Sequence, residues 1–209
     1  MPQVLKEEVR ARIHEAALAV FAERGFEGAT VAAIGERAGM AGANVYRYYP
    51  GKDMLFEAVV PRALAARHEA LLEASARAAG WVATGAPPDD GGAGEELLAF
   101  WIAHRLEVVI MLEHAAGTPL EGHGDRFVER LVDVAVASIR AASPGARLSR
   151  EARGVLVGVF EATRGAIARV LREHASERAI RESIAAFRAY QIAGLAGFAR
   201  WVAAPPAAR

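Results

Sequence analysis

Between Thr30 and Lys52 the chain reads Thr-Val-Ala-Ala-Ile-Gly-Glu-Arg-Ala-Gly-Met-Ala-Gly-Ala-Asn-Val-Tyr-Arg-Tyr-Tyr-Pro-Gly-Lys. Few folds accommodate this order: it predicts two short helices joined by a tight turn. Thr30 suits an N-cap, because its hydroxyl can accept from a free amide of the first turn. The capping box is incomplete, since Ala33 stands where Glu or Gln would reach back. Gly39 suits the left-handed residue that ends the first helix. Ile34, Met40 and Val45 are spaced to bring both helices onto one small core. The second helix carries Asn44, Tyr46, Arg47, Tyr48 and Tyr49, and Pro50-Gly51 stops it. This is the layout of a helix-turn-helix, whose second helix enters the major groove of DNA. A plain surface hairpin shares the two helices but has no use for Tyr-Arg-Tyr-Tyr, whereas a helix facing phosphates does.

The bulk properties agree with a helical chain and remove several chemistries. Alanine is abundant and β-branched runs are few, which favours helices throughout. The sequence holds no cysteine, so disulfides, thiolate metal sites and cysteine nucleophiles are excluded. Net charge is zero, and residues 1–52 balance seven basic against six acidic side chains. A DNA-binding role therefore depends on where charges sit, not on their sum. The N-terminus lacks the apolar core of a signal peptide, and no apolar run is long enough for a bilayer. A soluble, cytoplasmic protein is expected.

A first helix is predicted from about Val4 to Arg24, with Val9, Ile13, Ala16, Ala17 and Val20 on one stripe widened by Phe21. Gly25 suits its C-terminal turn, with Phe26 folding back onto it. With the two helices above, this makes a unit too small to be secure alone. A long helix is expected from Lys52 or Asp53 to about Ala79. Pro61 falls inside it and either kinks it, giving a hinge, or breaks it. Gly80 to Gly94 reads as a loop from which Trp81 tucks back. Further helices are expected over Glu95 to about His114, Asp125 to Ala142, Ser149 to His174 and Ser176 to Ala203. In the last, Ile180, Ile184, Phe187, Gln191, Leu195, Phe198 and Val202 step by threes and fours, forming one seam. Gly154, Gly158 and Gly165 on the preceding helix permit close approach. This seam joins two copies into a four-helix bundle or packs within one.

From Gly25 through Phe56 the order of Gly-Phe-Glu-Gly-Ala-Thr, the Ala-Gly turn, the Tyr-x-Tyr-aromatic helix and Lys-x-x-Leu-Phe resembles the DNA-binding domain of the TetR family of transcriptional regulators. The resemblance is close over about residues 8–60; beyond it the chain matches in length and helical character. It implies an all-α fold: a helix-turn-helix domain over residues 1–52, then a helical regulatory and dimerisation domain over 53–209. It implies phosphate contacts for Thr30, Tyr46, Tyr48 and Lys52, and base reading for Gly42, Ala43, Asn44 and Arg47. Two departures stand out. Ala41 replaces a capping side chain, which typically costs about 1 kcal/mol. Gly35 replaces an alanine, at about 1 kcal/mol in a helix interior. Gly42 and Ala43 offer a base edge almost nothing, so direct readout falls to Asn44 with adenine and Arg47 with guanine. A phosphate contact is equally open to Arg47.

The resemblance also favours the homodimer, with Val155, Val159, Ile184, Phe187, Leu195 and Phe198 as candidate interface residues. Trp101, His104, Arg105, Phe127, Phe160 and Arg164 are candidates to line a pocket for an apolar or amphipathic effector, although each read singly fits an ordinary core or ion-paired role. The six histidines show no metal-binding spacing, and neither a phosphate loop nor a nucleophile motif is present. No cofactor, metal, membrane or catalytic role is expected. The expected function is a ligand-responsive repressor that binds a palindromic operator as a homodimer. The alternative is a helical partner-binding protein without an effector.

Overall fold

The computed structural model describes residues 3–77, 92–145 and 147–204, and these fold into α-helices without a strand. In chain order the helices are α1 (Gln3–Gly28), α2 (Val31–Arg37), α3 (Gly42–Val45), α4 (Lys52–Val59), α5 (Arg62–Arg77), α6 (Ala93–Ala103), α7 (Arg105–Glu113), α8 (His123–Ala142), α9 (Arg150–Glu173) and α10 (Glu177–Ala203). No helix among the described residues is long and apolar enough to cross a membrane.

Local chemistry sets several boundaries where expected. Thr30 caps α2, accepting from the Ala33 amide at 3.1 Å. Ser149 and Ser176 cap α9 and α10 in the same way, accepting from Ala152 and Ala179. Gly25 and Gly39 both hold positive φ, where an L side chain would be strained. Gly25 bends the end of α1, and Phe26 turns back to within 6.0 Å of the Phe21 ring.

Two expected long helices are divided. Pro61 breaks the predicted 52–79 helix and does not kink it: α4 ends at Val59 and α5 starts at Arg62. The helix predicted over 95–114 is interrupted at His104, whose φ of −122° and ψ of 38° leave the helical region. The sequence there holds neither proline nor glycine to announce the break. Of the predicted 80–94 loop, residues 80–91 and therefore Trp81 lie outside the described residues. The chain is already helical at Ala93.

The chain forms two compact units. The first comprises residues 1–67 and 104–124; the second comprises 68–103 and 125–209. The linear division expected at residue 52 thus differs from the folded one, because a segment from mid-chain belongs with the N-terminal helices. In the first unit α1 packs on α2, α4 and α7. Phe21, Phe26 and Phe56 form an aromatic cluster with centroids 5.3 to 6.0 Å apart, in which Phe56 meets both other rings edge-on. Such geometry adds to the apolar burial. In α7 Val108, Val109, Ile110, Met111 and Leu112 are all buried, as in a helix covered on every side. The Phe26 amide donates to the His114 carbonyl, tying the end of α7 to the bend of α1. In the second unit α10 packs against α9 and α6.

Candidate functional site

The turn between α2 and α3 is closed by backbone contact. A Cβ on Gly35 would stand 2.9 Å from the Cα and N of Gly42 and from the Met40 carbonyl oxygen. A Cβ on Gly42 would meet the Ala32 Cα at 3.1 Å. The glycine at 35 is therefore not a blemish in a helix interior, as the sequence suggested. It is the space that α3 occupies.

Ala41 supplies no side-chain cap, and regular helix in α3 lasts only from Gly42 to Val45. The chain continues through Tyr46 to Tyr49 as a tight turn, with the Tyr48 and Tyr49 amides donating to the Val45 carbonyl. Val45 is fully buried and pins this segment. Thr30, Ala43, Asn44, Tyr46 and Arg47 are exposed; Gly42, Tyr48 and Lys52 are partly so. Seven of the eight DNA-contact candidates thus lie at or near the surface with no recorded side-chain bond that would divert them, apart from the cap made by Thr30. That cap uses the Thr30 oxygen as acceptor and leaves its proton available.

Lys52 differs. Its Nζ donates to the Phe26 carbonyl at 2.7 Å and to the Ala29 carbonyl at 3.1 Å, and it sits 4.2 Å from the centroid of the Phe26 ring. The ammonium closes the end of α1 against the start of α4, and these bonds occupy two of its three protons.

The second unit holds a mostly apolar cavity of about 160 Å³. Leu72 and Ser75 of α5, Leu97 and Trp101 of α6, Phe127 and Leu131 of α8, Ile167 of α9, and Ile184, Phe187, Arg188 and Gln191 of α10 all reach it. Of the six predicted pocket residues it therefore brings together Trp101 and Phe127. Phe160 is buried in the core without lining the cavity. Arg164 is bound to Asp125 at 2.8 Å. His104 and Arg105 belong to the other unit, where the His104 Nδ1 lies 3.6 Å from Glu107.

Beside the cavity His68 is fully buried. Its ring lies nearly parallel to Phe100 and Phe127, at 5.8 and 6.1 Å. Its Nε2 accepts from the Trp101 indole N–H at 3.0 Å. An indole nitrogen only donates, so His68 is neutral here with its proton on Nδ1. Nothing in the sequence announces this pairing.

The predicted dimer set also divides. Val155 and Val159 are 54% and 38% exposed on α9. Ile184 and Phe187 line the cavity, Leu195 is buried, and Phe198 is half-buried with its ring 5.9 Å from Trp201. The seam of threes and fours marks the face that α10 turns inward. About one residue round the helix a second face carries Tyr190, Gly194 and Trp201, with Tyr190 and Trp201 at 78% and 66% exposure. Added Cβ atoms at Gly154, Gly158 and Gly194 would meet nothing within 4 Å.

A search among curated proteins gives no match. Three of the solved structures similar to this chain are as follows. A TetR-like transcriptional regulator from Rhodococcus sp. RHA1 has 22% identity over 94% of this chain and 96% of its own, with a TM-score of 0.49. A tetR family transcription regulator from Shewanella sp. PV-4 has 18% identity over 86% and 95%, with a TM-score of 0.37. The transcriptional regulator FadR from Bacillus subtilis, solved in complex with stearoyl-CoA, has 15% identity over 85% and 95%, with a TM-score of 0.39. The model of the family described as bacterial regulatory proteins, tetR family, matches residues 13–59, from the middle of α1 to the end of α4. Those residues therefore form a DNA-binding segment of the kind found in the tetR family of regulatory proteins, which supports a DNA-binding regulator of transcription.

Proposed function

We propose that the chain acts as a homodimeric repressor whose hold on a palindromic operator is loosened by a small molecule in the cavity of the second unit. The observation that carries this reading is the pairing, in one chain, of a helix-turn-helix surface with a separate apolar cavity of about 160 Å³. Two copies would present their α3 segments to half-sites one helical turn apart. Thr30, Tyr46 and Tyr48 would touch phosphates, whereas Asn44 and Arg47 face the groove. Lys52 acts by holding α4 to the end of α1. The dimer would form through Val155 and Val159 of α9 with Tyr190, Gly194 and Trp201 of α10. The open space over the glycines lets a partner helix approach closely. An effector must bind the two states of the dimer with different affinity, because equal affinity shifts nothing.

The test is binding-site selection from random duplex DNA, repeated with Asn44→Ala. A selected palindrome whose preference relaxes at one symmetric base position in the variant supports the reading. Failure to enrich any sequence, with no salt-sensitive DNA binding, refutes it and leaves the partner-binding alternative.

A further inference from the structure

We infer that the cavity takes a compact monoanion: one ring-sized apolar body, a carboxylate directed to Arg188, and a hydroxyl donor directed to Gln191. This rests on reading the cavity as the effector site, and three features of its wall point to this ligand.

The first is size. An apolar cavity of about 150 Å³ accepts a benzene-sized guest, and this one measures about 160 Å³. A single ring fills it, and a long acyl chain would have to run out through its open side.

The second is charge. Among the described residues Arg188 is the one ionisable side chain on the cavity wall, and none of them brings a carboxylate to it. Several carboxylates of the surrounding helices are engaged elsewhere. Glu69 and Glu73 of α5 pair with Arg126 and Arg130 of α8, Glu95 of α6 pairs with Arg181, and Asp125 of α8 pairs with Arg164. None of the ion pairs among the described residues includes Arg188. An incoming anion would gain a charge-assisted, bidentate partner beside apolar surface. An incoming ammonium would meet a like charge there.

The third is hydrogen-bond polarity. The Thr163 hydroxyl spends its single proton on the Val159 carbonyl at 2.8 Å. Its contact with the Gln191 Nε2 at 2.5 Å must then be donated by Gln191. This fixes the amide, leaving its carbonyl oxygen to accept from a ligand. The Trp101 N–H is already committed to His68 and offers the ligand nothing. Arg188 and Gln191 stand three residues apart on α10, on neighbouring positions of one helix face. Both therefore address the same bound molecule.

The probes are 4-hydroxybenzoate, its neutral amide 4-hydroxybenzamide, its cationic analogue 4-hydroxybenzylamine, unsubstituted benzoate, and palmitate as a long-chain control. Binding to the full-length protein is read by calorimetry and by quenching of tryptophan fluorescence, since Trp101 lines the cavity. The acid binds best, the amide about tenfold more weakly, and the amine not at all. Arg188→Ala lowers affinity for the acid about tenfold, and Arg188→Lys restores part of it. Gln191→Leu weakens 4-hydroxybenzoate and spares benzoate. Equal binding of acid and amide, preference for the amine or for palmitate, or an Arg188→Ala variant that binds normally overturns the inference. So does the absence of binding by all five. Operator release is measured separately in the same samples. Arg188-dependent binding of the acid with no loss of operator affinity keeps the ligand class and overturns the effector reading. Operator release by the neutral amide without the acid does the reverse.

Discussion

Gly35→Ala sets two ordinary expectations against each other. In a helix interior, exchanging glycine for alanine commonly stabilises by about 0.5–1 kcal/mol, because the unfolded chain loses freedom. In α2 the added methyl would stand 2.9 Å from three backbone atoms, the Cα and N of Gly42 and the Met40 oxygen. Carbon atoms attract best at about 3.5–4.0 Å, so α2 and α3 must separate by roughly half an ångström or more. Backbone cannot rotate aside as a side-chain tip can. Overpacking of this kind costs about 1–3 kcal/mol, so the net effect is a loss of about 1–2 kcal/mol. For a chain of this length that lowers the melting temperature by roughly 3–6 °C. The same displacement moves Asn44 and Arg47 relative to Thr30, so operator affinity falls with it. Gly28→Ala is the control, since its added methyl meets only the Arg24 Cβ at an ordinary 3.5 Å. Thermal unfolding by circular dichroism, with operator binding on the same samples, checks both. A Gly35→Ala protein as stable as the parent, with unchanged operator affinity, would refute the claim that this glycine sets the spacing of the motif.

Three other outcomes are expected. Lys52→Met keeps the apolar stem near Phe26 but removes both carbonyl bonds, so stability falls by about 1–2 kcal/mol. The salt slope of DNA binding then changes by less than the one unit that a phosphate contact would remove, as salt titrations would read. His68→Phe leaves the buried Trp101 N–H without its acceptor and costs about 1–3 kcal/mol. His68→Gln, which can still accept, loses less, and denaturant titration distinguishes the two. Val159→Arg sets a charge on the proposed dimer face without touching the core, so light scattering reads one chain of 22.2 kDa where the parent reads twice that mass.

What was legible in the sequence was local. Thr30, Ser149 and Ser176 announce helix starts through a hydroxyl reaching a nearby amide, and Gly25 and Gly39 announce turns through backbone that other residues resist. Such signals act over three or four residues and survive any tertiary context. The break at His104 left no trace in the sequence, since no proline or glycine marks it. The stripe on α10 marks the face it turns inward, but periodicity does not say what covers that face, and Ile184 and Phe187 line a cavity the spacing does not reveal. For the same reason Gly35 read as a weakness: the atoms that need its space belong to another helix. Within the helix-turn-helix the surface positions were readable, since family spacing and helix geometry agree there. Lys52 was not, because its acceptors are carbonyls over twenty residues earlier.

The place of α7 in the first unit bears on how the protein is made. Every DNA-contact candidate has been synthesised by residue 52, yet the unit that carries them includes residues 104–124. Translation proceeds at about 5–20 residues per second, so the N-terminal helices wait some seconds, with the α1 surface that α7 covers still bare. A fragment ending at residue 67 would remain in that waiting state. It would carry all the DNA-contact candidates without the segment that completes their support, and a nascent or truncated chain would accordingly be a poor competitor for the operator.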